Sequence, residues 1–314
     1  MIVVAGESLV DLVVDGEGDV AAIPGGGPFN VARAIGRLGL PVAYLGRLSN
    51  DQFGRVLRDR LVGDGVDLSL ASWTDDPTLL AVAEVGPDGS ATYRFHTAGT
   101  AAVGLSPADV AMGLPAGTTA FHVGTLGLVF DPMATTIADL AVAAGPAVLL
   151  MADPNCRPAA IADRDGYRRR LDHLLGRVDI VKVSTDDLEW LEPGREPVEA
   201  ARILLATSAS GTSVVLLTDG GRAVRVVTRR EAVMIPVPAV PVVDTIGSGD
   251  AFGAGFLVAW TRAGRGRADL ADVAAVAEAT RFAVEVGAWT AGRAGADPPT
   301  AAELASRSPM VDST

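Results

Sequence analysis

Asp244-Thr-Ile-Gly-Ser-Gly-Asp250, continued by Ala-Phe-Gly-Ala-Gly-Phe-Leu257, is the stretch from which the rest of the chain is read. It follows the extended, proline-punctuated run 236–243 and leads into a helix-like stretch from Ala251 to Trp260. Glycines at 247 and 249 let the backbone turn tightly and aim successive N–H groups one way. At a helix N-terminus such donors meet the positive end of the dipole and form an anion site. Asp250 falls in the first turn beside that site. A carboxylate there would repel a bound phosphate unless its role is chemical. It can take the proton of an attacking hydroxyl while the amides of Gly247, Ser248 and Gly249 hold the phosphoryl oxygens. By spacing alone, Asp250 reads equally well as an ordinary first-turn residue and the glycines as a plain turn.

Upstream of this segment the chain alternates strand and helix. Short apolar runs at 2–5, 42–46, 119–123, 147–152, 178–183 and 213–218 read as strands. Helical spacing marks 29–38, where Val31, Ala34, Ile35 and Leu38 recur, and also 52–62, 132–144, 164–175, 185–191 and 197–207. A β-rich stretch at 222–235 and helices at about 249–263 and 270–287 close the pattern. Repeated βα units predict an α/β fold with a mostly parallel sheet covered on both faces. Residues 79–85 and 91–96 flank Pro87-Asp88-Gly89, a hairpin signal that breaks the alternation and reads as an excursion from the main sheet. One domain over 1–314 is expected, with a loose tail from about Asp297.

Composition narrows the chemistry. Apolar residues make up 49% of 314, enough for a large core, and only 5% are aromatic, so small aliphatic side chains must pack helix on sheet. A net charge of −12 repels nucleic acid and anionic membranes, and both are discounted as partners. Any polyanionic substrate must then be neutralised locally. Lys182 is the only lysine, so arginines, backbone amides and a divalent cation are expected to do most of that. The single cysteine, Cys156, forbids an intrachain disulfide and fits a reducing, cytoplasmic setting. The apolar start carries Glu7 and Asp11 and no basic segment, so it reads as a buried strand instead of a signal peptide. No uncharged apolar run reaches the roughly 18 residues of a membrane span.

Other motifs sit where ligands would. Gly25-Gly26-Gly27-Pro28-Phe29-Asn30 opens a helix with a backbone that can approach closely and an amide that both donates to and accepts from hydroxyls. Asp11 offers a carboxylate for two hydroxyls, or is an exposed residue at a strand end. Asp153-Pro-Asn155-Cys-Arg157 follows an apolar strand, the position that lines the crevice of a parallel sheet. Arg157 can hold a phosphate oxygen or pair on the surface with Asp163 or Asp165. Ser184 and Asp187 follow another strand and read as a box-like helix cap. Thr218, Gly220 and Gly221 end another strand and read also as plain turn chemistry. His96, His122 and His173 lack metal-ligand spacing.

Residues 244–257 resemble the C-terminal signature of the ribokinase-like (PfkB) carbohydrate kinase family, with Ser248 where the family usually has Ala. Residues 25–39 are similar to its N-terminal signature, in which a Gly-Gly pair and an Asn contact the sugar; Ser49 stands where Gly is common. Asp11 matches the family's early sugar-binding aspartate. Asp153-x-Asn155-x-Arg157 looks like the fructokinase-like members. Ser184 and Asp187 replace the usual Asn and Glu of Asn-x-x-Glu, and Ala223 replaces the last Gly after Thr218-x-Gly220.

The resemblance implies a three-layer ribokinase-like fold with a small β lid from about 8–20 and 70–100, and a homodimer through that lid. It implies Asp250 as base, Gly247, Ser248 and Gly249 as anion hole, and sugar held by Asp11, Gly26, Gly27, Asn30 and Arg157. The nucleotide would be ATP, near Ser184, Thr218, Gly220 and Gly221, with Mg2+ near Asp187 and a monovalent cation such as K+ near Asp244. Fructose is the expected sugar, with 2-keto-3-deoxygluconate the alternative, for whose carboxylate Arg94 and Arg157 are candidates. A dinucleotide-dependent oxidoreductase is disfavoured, because neither glycine cluster completes the dinucleotide fingerprint. No phosphate-loop NTPase pattern occurs. A non-catalytic sugar-binding relative is disfavoured by the presence of Asp250 and its glycines.

Overall fold

The computed structural model describes residues 1–15, 17–85, 91–207 and 213–306. The strands are β1 (Ile2–Ala5), β2 (Leu9–Val14), β3 (Val20–Gly25), β4 (Val42–Leu45), β5 (Arg47–Ser49), β6 (Ser72–Thr74), β7 (Leu79–Val85), β8 (Ala91–His96), β9 (Ala120–Gly124), β10 (Leu149–Asp153), β11 (Ile180–Ser184), β12 (Val214–Asp219), β13 (Ala223–Val227) and β14 (Ala232–Pro236). The helices are α1 (Gly27–Arg37), α2 (Gln52–Gly63), α3 (Met133–Ala143), α4 (Arg164–Leu175), α5 (Thr185–Leu191), α6 (Pro197–Thr207), α7 (Ser248–Arg262), α8 (Val273–Ala291) and α9 (Ala301–Ser306).

The main sheet has eight strands in the order β14-β13-β12-β11-β10-β9-β1-β4. β4 through β12 run parallel, and β13 and β14 extend the far edge antiparallel. Period-two alternation divides the core between two faces. Ile2, Val4, Leu149, Met151, Ile180, Val214 and Leu216 pack toward α1, α2, α7 and α8. Val3, Leu150, Val181, Val183, Val215 and Leu217 pack toward α3, α4, α5 and α6. That alternation produces the expected three layers.

β1 connects to β4 on one side, while β9 lies on the other side of β1. The strand order therefore reverses between β1 and β9, and ligands of parallel α/β sheets bind beyond the strand carboxyl ends at such a point. The excursion from the main sheet is a separate four-stranded sheet, β3-β2-β7-β8. It reaches Gly25, beyond the expected 8–20, because β3 pairs with the whole of β2. Ser72–Thr74 lies outside it, paired instead with Arg47–Ser49. The Pro87-Asp88-Gly89 signal lies outside the described residues.

α7 starts at Ser248 and is anchored by Phe256 and Trp260, both fully buried and stacked 5.6 Å apart. Removing either ring would cost about 3–5 kcal/mol. Residues 298–306 are held, contrary to the expectation of a loose tail from about Asp297; the rest of that tail lies outside the described residues. Arg37 Nε donates to the Pro298 carbonyl at 2.7 Å, and Arg293 pairs with Glu303 of α9 at 2.7 Å. Local charge explains this, since arginines of α1 and of the segment after α8 meet the acids of the tail. No helix among the described residues is long and apolar enough to cross a membrane.

Candidate active site

Gly247 caps α7 with φ 73°, a left-handed conformation that suits glycine. A Cβ there would lie 2.5 Å from that of Ala296. The turn is braced by Asp244, whose carboxylate accepts the Ile246 amide at 3.0 Å and the Gly295 amide at 2.9 Å. Among the described residues no acceptor meets the amides of Gly247, Gly249 and Asp250. The Ser248 amide, by contrast, donates to the Thr245 carbonyl at 3.2 Å, and its hydroxyl does the same at 2.9 Å. Ser248 therefore closes the turn, and the free donors facing an anion are those of its neighbours.

Asp250 is buried at the floor of a cavity of about 770 Å³. Its Oδ2 accepts a hydrogen bond from Asn30 Nδ2 at 2.9 Å. Burial raises the Asp250 pKa above the ordinary carboxylate value; the Asn30 bond, Lys182 and Arg157 oppose that rise. A carboxylate lifted in this way is a better proton acceptor, while the Asn30 hydrogen bond favours its ionised form. Asn30 Oδ1 is buried without a partner, an acceptor available to a hydroxyl of a ligand.

Asn30 sits in the first turns of α1, which begins at Gly27 because Pro28 suits an N-terminal position. Gly27 packs so closely that a Cβ would meet Thr125 Oγ1 at 2.2 Å. Its amide donates to Glu7 Oε1 at 3.0 Å, and Gly127 donates to Glu7 Oε2 at 2.8 Å. Glu7 thus ties the end of β1, the start of α1 and the turn after β9 at the reversal point. Burial pushes its pKa up to about 8, against the pull of these amides. Gly26 and Gly27 line the cavity, as do Asp11 from β2 and Tyr93 and Phe95 from β8. Burial lifts Asp11 to about 6, opposed by Arg157.

Arg157 also lines the cavity. The surface pairing with Asp163 does not occur, because Asp163 caps α4 by accepting the Gly166 amide at 2.9 Å. Arg94 is turned away: it alternates with the inward Tyr93 and Phe95 and pairs with Glu84 at 3.4 Å.

The nucleotide-side residues are spread beyond this cavity. Ser184, Asp187, Thr218, Gly220, Gly221 and Asp244 do not line it. Ser184 and Asp187 form a full capping box at the start of α5. Asp187 Oδ2 accepts the Ser184 amide at 2.8 Å and hydroxyl at 2.7 Å, and Oδ1 accepts the Cys156 amide at 2.6 Å. Its oxygens are committed to backbone, which favours the cap over the metal reading. Thr218 Oγ1 donates to the Val183 carbonyl at 3.3 Å, and Gly220, at φ 53°, makes the turn from β12 to β13. Among the described residues no group of three or more His, Cys, Asp or Glu side chains is placed to hold a metal ion. A magnesium ion here would need phosphate and water oxygens for most of its shell.

Lys182 and Thr125 line the cavity without an expected site role, and Asn155 lines it from within the expected Asp153–Arg157 motif. Lys182 Nζ lies buried, 2.9 Å from Asp153 Oδ2. Thr125 and Asn155 have positive φ, 54° and 37°, and are linked by a 3.4 Å hydrogen bond across the cavity wall. Cys156 is structural: buried, 3.6 Å from the Tyr167 hydroxyl, its thiol pushed up to about 12 by burial.

Known proteins match this arrangement along the whole chain. Fructokinase from Rhizobium leguminosarum bv. trifolii is 34% identical over 262 residues, 82% of this chain and 78% of that protein. The structure of fructokinase with bound ATP from Xylella fastidiosa superposes with a TM-score of 0.86 at 26% identity, covering 97% of each chain. A fructokinase double mutant from Vibrio cholerae, solved with fructose, ADP and potassium ion, superposes with a TM-score of 0.83 at 25% identity, again over 97% of each. The pfkB family carbohydrate kinase profile matches residues 1–302. Because that match spans residues 1–302, including both the Gly25–Asn30 loop and the turn at 247–250, the chain belongs to the pfkB family of carbohydrate kinases.

Proposed function

We propose that this kinase transfers the γ-phosphoryl group of ATP to a hydroxyl of fructose, with Asp250 as general base. The observation that carries this reading is the Asn30–Asp250 hydrogen bond of 2.9 Å at the cavity floor. It supports the reading because the Asn30 amide and a buried carboxylate lie side by side, next to the free amides of the α7 turn. Asp11, the Gly26–Gly27 backbone and Asn30 orient the sugar. Asp250 takes the hydroxyl proton as the oxygen attacks in line, and the Gly247 and Gly249 amides hold the phosphoryl oxygens. Magnesium, when bound with the nucleotide, supplies charge neutralisation at the phosphates. A monovalent cation beside Asp244 and nucleotide contacts at Thr218, Gly220 and Gly221 belong to the same reading.

The β3-β2-β7-β8 sheet acts as a lid: Leu9, Asp11, Tyr93 and Phe95 project from it into the cavity, and closure would keep water from competing as acceptor. Pairing of two such sheets in a homodimer would cover their exposed edges. A cytoplasmic setting fits the lone buried Cys156.

2-Keto-3-deoxygluconate is the second reading, favoured by Arg157, which lines the cavity and, among the described residues, hydrogen-bonds only the Cys156 carbonyl, at 3.4 Å. A coupled ADP-release assay over a sugar panel decides between them. Turnover on fructose at least tenfold above the acid sugar is expected. The reverse order would move the assignment to the acid sugar, and no turnover on any sugar would end the phosphoryl-transfer reading.

A further inference from the structure

We propose that Lys182, the only lysine in the chain, is a catalytic residue whose ammonium group contacts the phosphoryl group during its transfer to the sugar. This deepens the reading of Asp250 as base and rests on it. Lys182 lies on β11 with the parity of Ile180, so it projects toward the α7 layer. The register Met151↔Ile180 and Ala152↔Val181 brings it beside Asp153, whose Oδ2 it meets at 2.9 Å. Its Nζ would stand only 3.0 Å from a Cβ on Gly249, so the amine sits directly under the anion turn, and it lines the same cavity as Asp250.

The charge balance there needs a cation. Asp153, Asp187 and Asp250 are all buried around this floor, and the phosphoryl group adds more negative charge. Among the described residues the buried cations are Lys182 and Arg33, and Arg33 is engaged with Asp64 at 2.6 Å, away from the cavity. An ammonium has three donors. One goes to Asp153, which leaves donors for phosphoryl oxygens. The acidic neighbours Asp153, Asp187 and Asp250 hold Lys182 protonated despite its burial. In the step itself the hydroxyl oxygen bonds to the γ-phosphorus and the bond from that phosphorus to the β–γ bridging oxygen breaks. Its electron pair leaves with ADP, and the hydroxyl proton goes to Asp250 and then to solvent. Lys182 neither gains nor loses a proton; it is a fixed charge already in place.

A single lysine makes the test clean, because protein labelled with 13C,15N-lysine carries one side-chain ammonium signal. Addition of β,γ-methylene ATP with the sugar that the wild type phosphorylates should shift that signal, and the sugar alone should leave it nearly still. Lys182→Met should lower kcat at least 100-fold with the sugar KM and the ADP Kd within about threefold, and Lys182→Arg should recover at least tenfold of the loss. A folded Lys182→Met enzyme within fivefold of wild-type kcat overturns the proposal, as does an ammonium signal that ignores the nucleotide analogue. If Lys182→Met fails to fold, the Lys182→Met/Asp153→Leu pair removes both charges together and takes its place. Asp250→Asn inactive with Lys182→Met active overturns the lysine role alone. A wild type inert on every sugar overturns the phosphoryl-transfer reading and this role with it.

Discussion

Asn30 and Asp250 lie 220 residues apart in the chain and share a hydrogen bond of 2.9 Å between Nδ2 and Oδ2. The contact joins the first turns of α1 to the first turn of α7, the two helices whose N-termini meet at the cavity floor. It leaves Asn30 Oδ1 unpartnered and keeps the Asp250 carboxylate in a fixed orientation.

Asp250→Asn keeps the size and the buried position but cannot accept the hydroxyl proton. Turnover should fall by about 10³-fold or more. ADP binding measured by calorimetry should be unchanged within about threefold. Turnover within tenfold of wild type would defeat the assignment of Asp250 as base.

Asn30→Ala removes the proposed sugar contact and the donor that favours ionised Asp250. The sugar KM should rise about tenfold, the equivalent of about 1.4 kcal/mol, and the nucleotide Kd should move much less. The acid limb of kcat should also shift to higher pH, because the lost bond had been lowering the Asp250 pKa. Equal losses for both ligands, or an acid limb moving downward, would contradict this role.

Glu7 carries a pH dependence of stability. Its ordinary pKa of 4.5 in the unfolded chain rises to about 8 when folded. Between these values the folded chain binds more protons, so stability falls as pH rises and levels off above about 8. Asp11 and Asp153, each lifted to about 6, act in the same direction only at lower pH. His122, whose folded pKa burial pushes down to about 3, acts with the opposite sign near pH 6.5, so it is the comparison with Glu7→Gln between pH 6 and 8 that isolates Glu7. Urea denaturation should show Glu7→Gln losing about 2–3 kcal/mol less than wild type across that window. Parallel losses in the two proteins would show that Glu7 does not titrate there.

Gly247→Ala tests the turn. The left-handed φ of 73° and the 2.5 Å approach to Ala296 Cβ leave no room for a methyl group. The turn must open or the 293–298 segment must move, and kcat should fall at least 100-fold while the melting temperature drops by only a few degrees. Near-wild-type kcat would mean that the amides at 247–249 do not hold the transferring group.

Much of the fold was legible because parallel, doubly covered strands need continuous apolar runs, and the runs at 2–5, 147–152 and 213–218 supply them. The helix at 164–175 was placed residue for residue, since Asp163 is a strong cap and the leucines recur on one face. Departures cluster where pairing partners decide. Val20–Gly25 is a strand only because it lies along β2. Ala301–Ser306 is held by arginines from α1 and the segment after α8, which no local pattern announces.

The amino-acid sequence by itself determined the local frame of Asp250: a carboxylate in the first turn of a helix behind two glycines is a local feature, carried by φ angles and unpaired amides, and the resemblance to a family signature added the reading as a base. It also determined the glycine-rich loop at 25–30 for the same reason. What faces that carboxylate was decided only by tertiary structure. Strand register brings Lys182 and Asp153 together under the turn, the reversal of strand order brings Glu7 against Gly27 and Gly127, and a carbonyl at Thr245 takes the Ser248 amide out of the anion site. These contacts depend on which strands are neighbours, and residues far apart in the chain carry no local trace of it.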